Sequence, residues 1–328
     1  MKAAAPILEV DEVSKNFEAS RGLLGTSLLS RQRQVVRAVS GVSLALGPSE
    51  VLALVGESGC GKSTLGRIVA GLIQPTAGEL RFGGTSHTVL STSERREWAR
   101  NVQMIFQNPY ASLNARQTVR EIIEEPLRVH RVVPKSDVGA RANQLLEQVG
   151  LDPSFGERQP HQLSGGQCQR VGIARALTVV PRVLVCDEPV SALDVSIQAQ
   201  VLNLFADLRQ ELTIAYLFIS HDLGVVERLS DRVAVMYLGR IVETATRDDL
   251  FSSPKHPYTQ ALLDAVPKIG RSRAQSVRIS GERPSPLNPP PGCHFHPRCP
   301  HATGRCRVEA PQLKAVGFNQ FAACHLYG

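Results

Sequence analysis

Gly56-Glu57-Ser58-Gly59-Cys60-Gly61-Lys62-Ser63-Thr64 follows the apolar run Val51-Leu52-Ala53-Leu54-Val55. Further on, Leu163-Ser164-Gly165-Gly166-Gln167 precedes a second apolar run that closes in Asp187-Glu188. The first stretch has the spacing of a phosphate loop between a strand and a helix, where backbone N–H groups and a helix N-terminus converge on phosphate oxygens. Its glycines let the backbone approach closely, Lys62 is placed to neutralise β- and γ-phosphate charge, and the Ser63 hydroxyl is placed to hold Mg²⁺. Ser58, Gly59, Cys60, Gly61, Lys62, Ser63 and Thr64 are therefore the candidate nucleotide contacts. The second stretch opens a helical run over 168–179, so Ser164, Gly165, Gly166 and Gln167 can present a hydroxyl, backbone N–H groups and a helix dipole to another anion. Asp187 ends a strand of buried character, where a carboxylate facing Mg²⁺ avoids being an unpaired charge. Glu188, the next residue, points elsewhere.

Around these motifs the chain alternates. Ile7-Leu8-Glu9-Val10 and Val42–Leu46 read as strands, and Gly47-Pro48-Ser49 before Val51 suggests a hairpin turn. A polar, basic stretch between Phe17 and Val35 reads as a loop inserted between early strands. Residues 136–149 form an amphipathic helix, with Ser136 as the expected cap, Val138, Ala142, Leu145, Leu146 and Val149 on one face, and Gly150 as the stop. The β-type runs Val183–Cys186, Tyr216–Ile219 and Val233–Tyr237 alternate with helical segments such as Ile197–Gln210, which implies parallel strands joined by crossover helices. After Pro267 the composition turns to Arg, Ser and Pro, and Pro284–Pro291 reads as a linker.

The 328 residues suffice for one full core and a smaller appendage, at about 100–200 residues per domain. No apolar run approaches the roughly 18–20 residues of a membrane span, and no signal peptide is visible, so a cytosolic protein is expected. The net charge of +7 is confined to one end: Lys268 to Gly328 holds nine Lys/Arg against two Asp/Glu, which leaves the body at 28 of each. Four of the seven cysteines, Cys293, Cys299, Cys306 and Cys324, lie in that basic tail. In a cytosolic setting four thiolates at this spacing point to a metal rather than to disulfides, and spacing alone does not choose between tetrahedral zinc and a four-iron cluster. His294, His296, His301 and His325 are substitute ligands. Cys60 sits at a helix N-terminus, a setting that favours thiolate reactivity; alkylation is expected to block ATP hydrolysis and bound ATP to protect.

The order of phosphate loop, Leu-Ser-Gly-Gly-Gln and Asp-Glu resembles the ATP-binding-cassette (ABC) ATPases. That resemblance implies an α/β fold: a RecA-like phosphate-loop core with an antiparallel β subdomain and an α-helical subdomain, here with a small Cys-rich C-terminal module. It assigns Glu188 to polarising the attacking water, and Gln107, in Phe106-Gln107-Asn108-Pro109-Tyr110, to a loop whose glutamine touches Mg²⁺ or the water. His221, 33 residues after Glu188, matches the switch histidine at the γ-phosphate, and Asp194, in Ser191-Ala192-Leu193-Asp194, matches the loop at a dimer seam. Phe17 is the implied adenine-stacking aromatic, and Ser164–Gln167 would contact ATP held by a second cassette. Cys168 stands where the family usually has arginine; neighbouring Arg170 is expected to keep the local positive charge.

Longer segments narrow the likeness. Gln107–Asn114, Asp187–Ser196, Met236–Arg240 and Pro254–Leu263 resemble the ATPase subunits of bacterial dipeptide and oligopeptide importers, in the F-type, dipeptide-permease branch, although Ala115 replaces the usual proline. The resemblance implies an ATPase domain over 1–252 (helical subdomain about 108–165) and an oligopeptide-transporter C-terminal region over 253–328. It further implies a [4Fe-4S] cluster on the four tail cysteines, with zinc as the alternative. The expected partners are a homologous second ATPase as heterodimer, two membrane permeases docking near 107–125, and indirectly an extracytoplasmic peptide-binding protein. Residence is then peripheral, on the cytoplasmic face of the bacterial inner membrane. The rival reading is a non-transport ABC ATPase on nucleic acid or ribosomes, for which only the basic tail speaks. Only 102 residues separate Lys62 from Ser164, too few for the long insertion of genome-maintenance relatives, and the chain holds one phosphate loop where translation-type relatives carry two cassettes.

Overall fold

The computed structural model describes residues 5–18, 35–86, 91–265, 281–282 and 284–328; the basic insertion over 19–34 and the start of the basic tail lie outside them. Two sheets share the chain. Strands β1 (Leu8–Glu18), β2 (Val35–Leu46), β4 (Ala77–Phe82) and β5 (Thr85–Ser86) form an antiparallel sheet in the order β2-β1-β4-β5. The larger sheet contains β3 (Val51–Val55), β6 (Val102–Ile105), β7 (Val183–Asp187), β8 (Ala215–Ile219), β9 (Arg232–Tyr237), β10 (Arg240–Thr246), β11 (Lys314–Gly317) and β12 (Gln320–Ala322). Its order is β11-β12-β10-β9-β3-β8-β7-β6, with β9, β3, β8, β7 and β6 parallel.

The parallel core follows from composition: β3, β7 and β8 are buried along their whole length, as continuous apolar runs covered on both faces must be. Side chains alternate between two packing layers. Leu52 and Leu54 of β3 face the antiparallel sheet and the helix Lys62–Val69, while Ala53 and Val55 pack with Val233, Val235, Tyr237 and Phe295. The helices Val119–Val129, Val138–Gln148, Gly165–Leu177 and Val195–Leu212 share a third apolar cluster with Leu184, Tyr216 and Phe218.

Two local expectations are corrected. Gly47-Pro48-Ser49 is not a hairpin turn: β3 is flanked on both sides by β8 and β9, so β2 has no free edge there and pairs with β1 in the other sheet. Ser136 is not the helix cap; it lies in a 3-10 turn, Lys135–Asp137, its hydroxyl bonds to Asp137, and the helix begins at Val138. Gly150 does end that helix region, at φ +71°. No described helix is long and apolar enough to cross a membrane.

Candidate functional site

The loop from Gly56 to Gly61 leaves the end of β3 and turns into the helix Lys62–Val69. Gly61 has φ +113°, and a Cβ there would lie 2.2 Å from the Ala38 carbonyl oxygen, so only glycine fits. The loop forms the floor of a cavity of about 660 Å³, lined by Ser58, Gly59, Cys60, Gly61, Lys62, Ser63 and Thr64, and also by Phe17, Gln107, Glu188 and His221. Lys62 is buried, and its ammonium donates to the carbonyls of Gly56 (2.7 Å) and Glu57 (3.1 Å).

The ends of three neighbouring strands bring the polar groups together. Ser63 donates to Asp187 Oδ1 at 2.8 Å. Burial pushes the Asp187 carboxyl up, and Glu188 beside it adds to the rise; the Ser63 hydrogen bond and the charges of Arg67 and Lys62 pull the other way. This is a carboxylate short of positive charge, next to a hydroxyl and a phosphate loop. Glu188 follows it at φ +48°, a left-handed conformation held by its N–H on the Ile219 carbonyl at 3.0 Å. The carboxylate of Glu188 accepts from the Gln107 amide at 2.8 Å, and His221 Nδ1 lies 3.0 Å from the same oxygen, Oε2. Gln107 also reaches the Ser191 hydroxyl at 3.4 Å. Phe17, at the end of β1 and 38% exposed, forms part of the cavity wall with the Lys15 ammonium 5.2 Å from its ring centre.

Leu163–Gln167 is absent from the residues lining this cavity. Ser164 caps the helix Gly165–Leu177 through a reciprocal pair: its hydroxyl accepts from the Gln167 N–H at 3.3 Å, and the Gln167 side chain accepts from the Ser164 N–H at 2.9 Å. A Cβ on Gly166 would come within 2.5 Å of the Ile197 side chain. Ser164 is exposed, and so is Asp194 at the start of the helix Val195–Leu212. Tyr110, assigned no role from the sequence, donates to the Leu163 carbonyl at 2.9 Å and ties the segment after Gln107 to the Leu163–Gln167 signature.

The structure corrects the expectation for Cys60 and places Cys168 and Arg170. Cys60 is 2% exposed and packs in the apolar layer beneath the loop, so its thiol is sheltered from reagents despite the helix N-terminus beside it. Cys168 is wholly buried, with its sulfur 3.3 Å from the Pro160 carbonyl, and burial pushes its thiol up. The Arg170 guanidinium, two residues further along the helix, donates to the Val149 carbonyl at 2.6 Å and to Gln200 at 3.3 Å.

The four tail cysteines line one small cavity of about 30 Å³ with His296, His301 and His325; His294 faces the Leu238 carbonyl instead, at 3.3 Å. Burial pushes the Cys293 thiol up to about 11, with Cys306, Cys324 and Cys299 adding to it, and burial raises Cys299 and Cys324 as well. Among the described residues no three His, Cys, Asp or Glu side chains converge closely enough to hold a metal ion, so the expected ligand set is not preformed around a single ion. Pro286, expected in a linker, lines the nucleotide cavity, and its carbonyl accepts from the Arg37 N–H at 3.3 Å.

A phosphate loop at the C-terminal end of a central parallel strand, a strand-end Asp-Glu pair bracketed by glutamine and histidine, and a capped Ser-Gly-Gly helix define a cassette-type ATPase. Comparison with known proteins agrees. Residues 39–191 match the ABC transporter family, and residues 242–306 match the C-terminal region of the oligopeptide/dipeptide transporters. The chain is 50% identical to the oligopeptide transport ATP-binding protein AppF of Bacillus subtilis, across 98% of this chain and 97% of that one. It is 48% identical to the di/tripeptide transport ATP-binding protein DppF of Pseudomonas aeruginosa, with 97% of each chain covered. Among solved structures it is similar to a dimeric ATP-binding cassette in a post-hydrolysis state bound to ADP and Pi, with a TM-score of 0.64 and 26% identity over 73% of this chain and 98% of that one. The chain belongs to the ATP-binding subunits of the ABC peptide transporters.

Proposed function

We propose that this chain hydrolyses ATP to power import of dipeptides or oligopeptides across the bacterial inner membrane, working as one of two paired cassettes on a pair of membrane permeases. The observation that carries the catalytic part is the convergence of Gln107 and His221 on Glu188 at the mouth of the phosphate-loop cavity. The peptide cargo is supported by the names of the relatives and by the match of 242–306. We take 1–252 as the ATPase unit and 253–328 as the C-terminal region.

In this reading, Ser58–Thr64 cradle the phosphates and Phe17 stacks on adenine. Lys62 gives up its two carbonyl partners to the phosphates. Ser63, Asp187 and Gln107 offer the oxygen donors that Mg²⁺ takes, and the ion, when bound, neutralises charge at the β- and γ-phosphates. Glu188 accepts a proton from the attacking water or orients it; its strained backbone and its hydrogen bonds to Gln107 and His221 fix the carboxylate in place. His221 is then free to shift its Nδ1–H toward the γ-phosphate. Ser164 and Asp194, both exposed, lie with Gly165–Gln167 outside their own chain's cavity and present hydroxyl, N–H groups and a carboxylate to the partner cassette. Residues 107–125 form the proposed permease contact, since Tyr110 joins them to the signature helix.

For the four tail cysteines we favour a [4Fe-4S] cluster, with zinc as the alternative. A cluster spreads four thiolates over four irons, and Cys293, Cys299, Cys306 and Cys324 surround one apolar-walled cavity. Iron and acid-labile sulfide in anaerobically purified protein, with broad visible absorbance, are expected; zinc without iron refutes the assignment. For the main reading, the reconstituted complex with its permeases should couple ATP hydrolysis to peptide uptake, and Glu188→Gln should stop both. Uptake that persists in that variant would sink the catalytic assignment.

A further inference from the structure

The loop that holds the phosphates is gripped from the far end of the sequence. Arg298 lies in the 3-10 turn His296–Arg298, next to Cys299, and its side chain is 8% exposed. Its two terminal nitrogens each donate to one oxygen of Glu57, both at 3.0 Å, a bidentate pair. The same guanidinium approaches the Tyr237 hydroxyl at 3.4 Å. Tyr258, wholly buried, accepts the Glu57 N–H on its hydroxyl at 2.8 Å, and Tyr237, Tyr258 and Phe295 pack ring against ring around it. Glu57 is also one of the two residues, with Gly56, whose carbonyls hold the Lys62 ammonium.

We infer that Arg298 is a positioning residue for ATP binding: through the Glu57 fork it sets the path of the phosphate loop and the resting place of Lys62. A planar fork fixes direction as well as charge, so it orients the Glu57 backbone in a way that a point charge does not. The ion pair also removes a negative charge that would otherwise sit one residue from the phosphate cradle. Because Arg298 directly precedes Cys299, which lines the cysteine cavity, the packing of that cavity is transmitted to the nucleotide site by one side chain. The inference rests on ATP binding at this loop and is independent of what the cysteines hold.

The test uses the full chain and a fluorescent ATP analogue with Mg²⁺, read beside the thermal midpoint. Lys62→Ala must lose binding; if it does not, the ATP assignment itself fails. Arg298→Met is expected to weaken ATP binding about tenfold, and Arg298→Lys, which keeps charge without the fork, to recover only part of that. Arg298→Met with Glu57→Met leaves no unpaired buried charge, so the thermal midpoint should return toward the parent value. ATP affinity should stay weak in that double variant, since the tether is gone. Parent-like affinity in either the double or the single Met variant overturns the inference, as does a loss of affinity that merely follows the loss of folded protein.

Discussion

The nucleotide cavity and the cysteine cavity are both lined by side chains the sequence singles out, yet they are assembled differently. The first encloses about 660 Å³, and its polar groups come from short contiguous motifs at the ends of β3, β6, β7 and β8. The second encloses about 30 Å³ and is closed by residues from His256 to Leu326. Its support is a buried carboxylate, Glu243, which accepts from the N–H groups of Lys255 and His256 at 2.8 Å and from the Gln320 amide at 3.1 Å. The difference teaches that a reactive pocket can be left open where a rigid sheet already aligns its groups. A pocket without that scaffold needs a buried polar network to hold its walls.

The comparison breaks most sharply at Glu188. Glu188→Gln should cut phosphate release by the assembled complex about a hundredfold or more while ATP analogue binding persists; an effect under tenfold would leave the carboxylate a structural cap. On the other side, Glu243→Leu faces three donors with an apolar group and should cost about 3 kcal/mol or more in urea unfolding. Parent-like stability would mean the C-terminal strands hold without it. Phe17→Ala should weaken nucleotide binding by about 1 kcal/mol, or about fivefold, and spare melting, because the ring is partly exposed.

Acid sensitivity probes the same C-terminal side of the comparison. Burial pushes the His256 imidazole down to about 3 from its ordinary 6.5, and its Nδ1 accepts the Tyr258 N–H at 3.0 Å. The folded chain therefore keeps His256 neutral where the unfolded chain binds a proton. This contribution is complete above about pH 6.5 and is lost as pH falls toward 3. The thermal midpoint should fall through that window more gently in His256→Gln than in the parent chain; equal slopes would remove His256 from the account.

Which residues line the phosphate-loop cavity was legible because each motif carries its own geometry. A strand, a glycine turn and a helix must follow one another at Val51–Val69, and a strand must end at Asp187 for a carboxylate to emerge beside Ser63. Cys60 was misread for the opposite reason: whether a side chain points to water or to the core depends on the neighbouring layer, not on its own segment. Ser136 failed as a cap because Pro134 and a 3-10 turn start the helix one residue later than the polar pattern indicates.

By itself, the sequence determined the parallel character of the core, the phosphate loop and the candidates for catalysis, since apolar runs and motif spacings act over a few residues and need no partner. Only the tertiary structure decided that Glu188 receives both Gln107 and His221, that Pro286 lines the nucleotide cavity, and that Arg298 grips Glu57 across 241 residues of chain. Those contacts are set by which layers pack together, and a charge pair that far apart leaves no periodicity to read.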